Sequence, residues 1–352
     1  MAWSHSVRWP VVGRGRAAQR PGAGLAALTL LAAIAGASPR IGLAQQQGAV
    51  AADDPSALLG RIQQAARKLD YSGVFTYQQG AFIQSSRVVH VIDGTGERER
   101  LEVLDGEPRE FVRHNDEVHC IIPEKKTVLV ERRRGDRFPG LLLGEPKDLG
   151  SYYRIRIDEA LHRVAGRECR LIRIDPLDDR RYGYKLCADA QTDLLLKAQT
   201  LSPSGVIEQV AFTSLLLGPE VESGQLESKW STRDWKMLES DMKPVDLAAK
   251  GWRIPAPPGF VQVLEVARGM GKAHKVSQLV LSDGLAAISV FIEPYDSARG
   301  DYQPRGAAQR GAINLYGARV ADYWLTVLGE VPPGTLRQLA ESIEYVPLAP
   351  AP

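Results

Sequence analysis

The stretch Leu69–Gly80, LDYSGVFTYQQG, is where one periodicity gives way to another. Before it, Leu58, Leu59, Ile62, Ala65, Ala66 and Leu69 recur at helical spacing. They follow a helix start at Asp54-Pro55, where the Asp caps free N–H groups and the Pro occupies a first-turn site. This predicts a helix with one apolar face, ending near Asp70. From Tyr71 the period is two: Tyr71, Gly73, Phe75 and Tyr77 share one face of a strand, Ser72, Val74 and Thr76 the other. The aromatic face either covers the preceding helix or lines an apolar groove able to receive an acyl chain or an amphipathic peptide, with Phe75 and Tyr77 as the groove candidates.

Outward from this stretch, IQSSRVVHVI, RERLEVLD, REFVRHN, VHCII, TVLVER, YYRIRI, CRLIRI, YGYKLCA, DLLLKAQTL and VIEQVAFTSLLL follow at short intervals, separated by Gly, Asp, Asn and Pro. One helix followed by consecutive strands disfavours parallel crossovers and predicts an antiparallel meander curved over the helix. Residues 219–250 are too polar to continue it, and a linker is placed at 221–244. A second, smaller α+β unit is expected over 245–347, closing with a helix whose capping box is Thr335 with Gln338 and whose apolar stripe is Leu336, Leu339, Ala340 and Ile343.

The first 44 residues read as a signal peptide: a basic start without acids, an apolar run too short to span a bilayer comfortably, and small residues before Gln45. No Cys follows the apolar run, so no lipid anchor is expected, and the compartment indicated is the periplasm. Removing these residues, which carry five Arg and no Asp or Glu, turns the chain's +2 into about −3 with His neutral. Such a balance offers no global attraction to nucleic acid. In an oxidising compartment three Cys suggest one bridge. Cys169 and Cys187 are the disulfide candidates, directly opposite each other in a hairpin centred on Asp178, with Cys120 left as a buried strand thiol.

Chemistry-bearing motifs are sparse. There is no P-loop, dinucleotide turn, paired-His zinc helix or nucleophile elbow, so neither a catalytic residue nor a cofactor is expected. In HNDEVHC a turn at Asp116-Glu117 makes His114 and His119 a cross-strand pair, but Cys120 faces the other side and no third ligand follows, so no metal is expected. Arg132, Arg133, Arg134, Arg180 and Arg181 form two basic clusters on predicted turns, read as solvated loops or as contacts for phosphates or an acidic protein segment.

The stretches LDYSGVFTYQQG, RVVHVIDGTGERERLEVLDGEPREFVRHNDEV and VAGRECRLIRIDPLDDRRYGYKLCADAQTDLLLKAQTL resemble the amino-terminal domain of the MucB/RseB family. GWRIPAPPGF, LVLSDGLAAISVFIEP and AINLYGARVADYWLTVLGEVPPGTLRQLAESI resemble its carboxy-terminal domain. The resemblance implies an α+β, mostly β fold: a large unclosed antiparallel barrel over a helix, similar to the LolA/LolB lipoprotein carriers, over 45–220, and the smaller domain over 245–347. It implies a periplasmic negative regulator of an envelope-stress sigma factor. Such a regulator binds the periplasmic part of a MucA/RseA-type anti-sigma factor, shields it from site-1 proteolysis, and is released by lipid or lipopolysaccharide fragments. Tyr316, Tyr323 and Trp324 are the candidate aromatic anchors for that partner, with core burial the competing role for Trp324. A lipid or lipoprotein carrier is the alternative function, and homo-oligomers are compatible with either.

Overall fold

The computed structural model describes residues 55–132, 148–239, 242–270, 274–297 and 305–347. Helix α1 (Pro55–Lys68) buries Leu58, Leu59, Ile62, Ala65 and Ala66, the face its spacing predicts. Two meanders follow. The first is β1 (Tyr71–Gln79), β2 (Phe82–Asp93), β3 (Gly96–Val103), β4 (Arg109–His114), β5 (Glu117–Ile122) and β6 (Thr127–Arg132). The second is β7 (Tyr153–Val164), β8 (Arg167–Pro176), β9 (Gly183–Asp189), β10 (Leu195–Ser202) and β11 (Gly205–Leu217). β11 pairs antiparallel with β1, so the sheet runs β6-β5-β4-β3-β2-β1-β11-β10-β9-β8-β7. β7 does not pair with β6, leaving the barrel unclosed.

The inner face packs on α1 in two clusters. One joins Leu58, Leu59 and Ile62 to Tyr153, Ile172, Ile174, Tyr184 and Leu186; the other joins Ala65 and Ala66 to Tyr71, Phe75, Val88, Leu101 and Phe212. Burying each large apolar side chain contributes about 1.5–3 kcal/mol, so α1 is held by packing more than by its own propensity. Gly73 is required beside it: a Cβ there would collide with the Ser214 carbonyl and come within 3.0 Å of the Phe212 ring.

The segment read as a linker is a strap across the sheet's outer face. Leu226 packs on Val89 and Val91, and Arg100 donates to the Gln225 carbonyl at 3.2 Å and to Glu110 at 2.5 Å. Ser228 donates to Glu110 at 2.6 Å and Lys229 to Glu102 at 2.6 Å. β12 (Lys236–Glu239) then extends the sheet by pairing parallel with β6. The segment's polarity reflects its hydrogen bonds to Glu110, Glu102 and Arg100 on the sheet as well as exposure.

The second sheet begins with β13 (Met242–Pro244), while β14 (Trp252–Arg253) stands apart from it. β15 (Val261–Met270), β16 (His274–Ser282), β17 (Ala287–Pro294), β18 (Gly306–Arg310), β19 (Ile313–Val320) and β20 (Tyr323–Gly329) complete it in the order β13-β15-β16-β17-β20-β19-β18. Helix α2 (Pro333–Ser342) covers one face, and β21 (Glu344–Tyr345) pairs with β14. Leu336, Leu339, Ala340 and Ile343 pack on Leu279, Ile288, Val290, Leu325 and Val327. The expected capping box does not form: Pro332 is the N-cap, so Thr335 lies inside the helix, where its hydroxyl is used elsewhere. No helix of the described residues is long and apolar enough to cross a membrane.

Two turn registers differ from expectation. His114 pairs with Glu117 around Asn115, which takes φ 54°, a conformation Asn tolerates better than most residues. His119 therefore sits opposite Val112, away from His114, and bonds Glu117 at 2.8 Å. In the β8–β9 hairpin Cys169 pairs with Asp189 and Leu171 with Cys187, one residue off a hairpin centred on Asp178. The loop is set by Asp178 accepting the Arg180 N–H at 3.0 Å. The two Cys are thus diagonal neighbours, with Cα atoms 5.4 Å apart, and form a disulfide. Cys120 is buried and takes no part in a disulfide.

Candidate functional site

Two features converge at one end of the barrel: the aromatic inner face beside α1 and the seam between the two sheets. On the inner face Phe75 is buried against Phe212, ring centroids 6.1 Å apart. Tyr77 is half-buried, and its hydroxyl donates to Glu208 at 3.0 Å while accepting from Gln79 at 3.1 Å. Phe75 therefore belongs to the core around α1, whereas Tyr77, packed at the margin of that core, is tied through its hydroxyl to Glu208.

Farther along the inner face lies a buried polar row that sequence reading missed. His90 is fully buried, stacked on Tyr71 at 4.8 Å, with Nδ1 2.7 Å from the Leu69 carbonyl and Nε2 3.3 Å from Glu97. Both ring nitrogens face acceptors, so the imidazolium, donating from each, satisfies the arrangement. Burial pulls the His90 pKa down, but Glu97, Glu99 and the Leu69 carbonyl outweigh it and hold it above the usual value. Glu99 and Arg113, both buried, come within 3.9 Å beside it. The signal was present in GERERLEV: charges on both faces of a strand are compatible with burial only where each face finds partners.

The seam is built around Arg181. The sequence puts this residue on a turn, read either as a solvated loop or as a contact for phosphates or an acidic protein segment; its side chain is completely buried. Its Nε donates to Asp283 at 2.8 Å, Nη1 to Asp178 and Nη2 to the Pro258 carbonyl. The guanidinium lies 4.5 Å from the Tyr152 ring centroid and 5.0 Å from that of Phe260. Arg suits this place because its planar fork supplies several donors while its faces stack on rings. Asp283 also accepts the Tyr153 hydroxyl at 2.8 Å. Burial, followed by the nearby Tyr184 and Asp283, drives the Tyr153 pKa far up, so it stays a donor.

Neighbouring contacts extend the seam. Thr335 donates to the Arg180 carbonyl at 3.0 Å, and Asn314 donates to the Tyr182 hydroxyl at 2.9 Å and to the Val331 carbonyl at 2.8 Å. Leu285 inserts into the barrel cluster that holds Leu58 and Leu59. Gly259 has φ +82°, and a Cβ there would lie 2.5 Å from Arg181 Nη2 and 2.7 Å from the Tyr152 ring. Glu208 also faces this seam; burial and then the Glu330 carboxylate raise its pKa above the usual carboxylate value.

The remaining candidates separate. Tyr316 and Tyr323 are half-buried against the core under α2, Tyr323 packing on Trp252 at 5.1 Å and Tyr345 at 5.0 Å. Trp324, the next residue on β20, points to the opposite face and is buried beside Tyr295. It is a core residue, and the three aromatics do not make one surface. Arg180 is half-buried beside Asp178, and Arg132 is exposed at the end of β6, while Arg133 and Arg134 lie outside the described residues. Among the described residues no grouping of His, Cys, Asp and Glu fit to hold a metal occurs.

The sequence profile of the MucB/RseB N-terminal domain matches residues 54–230, and that of the MucB/RseB C-terminal domain matches residues 246–344. The chain belongs to the MucB/RseB family. Within that family it is 30% identical over 303 residues to the sigma factor AlgU regulatory protein MucB of Pseudomonas aeruginosa, covering 84% of this chain and 92% of that one. It is 26% identical, over 84% of this chain and 92% of the relative, to the sigma-E factor regulatory protein RseB of Salmonella typhimurium. Its structure is similar to that of MucB crystallised in complex with MucA(peri), with TM-score 0.63 and 29% identity, covering 84% of this chain and 100% of that one. MucB/RseB membership thus spans both sheets and the seam.

Proposed function

We propose that this protein is a periplasmic regulator that binds the periplasmic segment of a membrane-spanning anti-sigma factor of the MucA/RseA type. In this reading the bound segment is shielded from the initiating site-1 protease, and lipid or lipopolysaccharide entering the barrel releases it. The observation that carries the reading is the similarity, across both sheets, to a structure of MucB bound to MucA(peri). Residues 45–220 would form the lipid-sensing part and 245–347 the anti-sigma-binding part. Tyr77 is the groove candidate and Tyr316 and Tyr323 the partner candidates.

The seam supplies a physical route for antagonism between the two ligands. Tyr77 is tied to Glu208, which faces the second sheet. An occupant that turns Tyr77 away changes the partners of a buried carboxylate at the seam, at a cost of about 1–3 kcal/mol for the lost hydrogen bond. If lipid and segment favour different seam arrangements, each weakens the other's binding by the same factor. A protection assay tests the reading. Addition of the protein should slow site-1 cleavage of the anti-sigma periplasmic segment, and a lipopolysaccharide fragment should restore it; cleavage at the unprotected rate with saturating protein would refute the guard role.

A further inference from the structure

The outer face of the barrel opposite α1 carries a cationic array outside the seam. Cross-strand partners share a face and sit about 5 Å apart. The register aligns Arg156 of β7, Arg173 of β8, Lys185 of β9, Gln199 of β10, Gln209 of β11, Gln78 of β1 and Ile83 of β2 in one row. Lys197 stands in the next row, diagonal to Lys185. Arg173 and Arg156 are 46% and 58% exposed and touch Asp158 and Asp175 respectively. Neither lysine is ion-paired among the described residues. Partial burial and then the Lys185 ammonium hold Lys197 below the usual lysine range. On this face of β9, β10, β11 and β1 the one carboxylate is Asp189, which is buried and bound by Arg167 at 2.6 Å.

Two apolar side chains border the array on the same face. Ile83, at the start of β2, is 57% exposed, and Val206, which pairs with Leu201 near the β10–β11 turn, is 53% exposed. We infer that this face docks on the surface of an anionic phospholipid bilayer, with Lys185, Lys197, Arg173 and Arg156 over the headgroup phosphates and Ile83 and Val206 entering the interfacial layer. The backbone hydrogen bonds of these central strands are already used within the sheet, so recognition falls to side chains alone. Two lysines without an ion pair, flanked by two exposed arginines and bordered by exposed apolar tips, match a plane of phosphates with hydrocarbon beneath it. An acidic polypeptide would satisfy the cations but leave both tips in water. The inference concerns the outer face and stands apart from lipid entry into the barrel.

Cosedimentation of the purified protein with vesicles tests it. Vesicles of phosphatidylglycerol and phosphatidylcholine should bind the protein, with binding falling as salt rises, whereas phosphatidylcholine alone should not. The double variant Lys185→Gln/Lys197→Gln should lower vesicle affinity on the order of tenfold, and Ile83→Ser/Val206→Ser should lower it as well. Both should keep the parent's melting temperature and its affinity for the anti-sigma segment. Glycerol phosphate in solution should not compete. No vesicle binding, equal binding to both vesicle types, undiminished binding by the lysine variant, or full competition by glycerol phosphate would each overturn the inference. The segment titration on the same variants reports separately on the proposed regulatory function.

Discussion

Arg181 shows how little a side chain's own type says about its place. In DDRR it has the composition of a solvated turn, yet it joins two domains, because Asp283 and the Pro258 carbonyl arrive from more than seventy residues away. Replacing it with Ala leaves Asp283 buried without its cation, a loss of about 3–5 kcal/mol, measurable by urea denaturation. Arg181→Met combined with Asp283→Leu should recover part of that loss. His90 makes a pH prediction. Its folded pKa lies above the ordinary 6.5, so its stabilisation is complete below that value and is lost as pH rises through the folded value. The melting temperature of the parent should therefore fall across this window relative to His90→Asn, and a parallel decline in both proteins would contradict the imidazolium assignment. Glu208 has the same sign: its carboxyl is raised, so Glu208→Gln should raise the melting temperature at neutral pH, with the gain shrinking as acid protonates the parent.

At the scale of elements, what sequence made legible was periodicity. The switch at Leu69, the strand meander and the apolar stripes of both helices depend on local alternation, and local alternation decides which face is buried. What it could not convey was pairing at a distance. The β8–β9 register depends on an Asx contact inside the loop, and moving the hairpin centre by one residue, a two-residue shift in pairing that keeps each side chain on its face, converted an opposed Cys pair into a diagonal one. The strap over 221–239 looked like a linker because its anchors, Arg100, Glu102 and Glu110, lie on β3 and β4 and were invisible as partners. Glu110→Ala should leave the buried Arg100 guanidinium with Glu102 at 3.2 Å and the Gln225 carbonyl alone and remove the acceptor of Ser228, destabilise the protein by about 1–3 kcal/mol, and accelerate proteolytic nicking within 221–239. Reduction of Cys169–Cys187, which closes a loop of sequence separation 18, should cost about 3 kcal/mol.

For the whole molecule, the polar stretch over 219–250 and the family resemblance conveyed the two-domain plan, while the seam emerged only from the fold. Gly259, Arg181, Asn314 and Thr335 are unremarkable one by one in sequence and become a unit through tertiary contacts. Of the candidate site residues, Tyr77 reaches the seam, Phe75 and Trp324 join cores, and Tyr316 and Tyr323 remain half-buried beside α2. The proposed regulator depends on one molecule binding two ligands that antagonise each other through that seam. Calorimetric titration of the protein with the periplasmic segment of its anti-sigma factor, without and with lipopolysaccharide fragment, measures this directly. The account predicts tight binding that the fragment weakens, with the segment weakening fragment binding by the same factor; segment binding of equal strength in both titrations would contradict it.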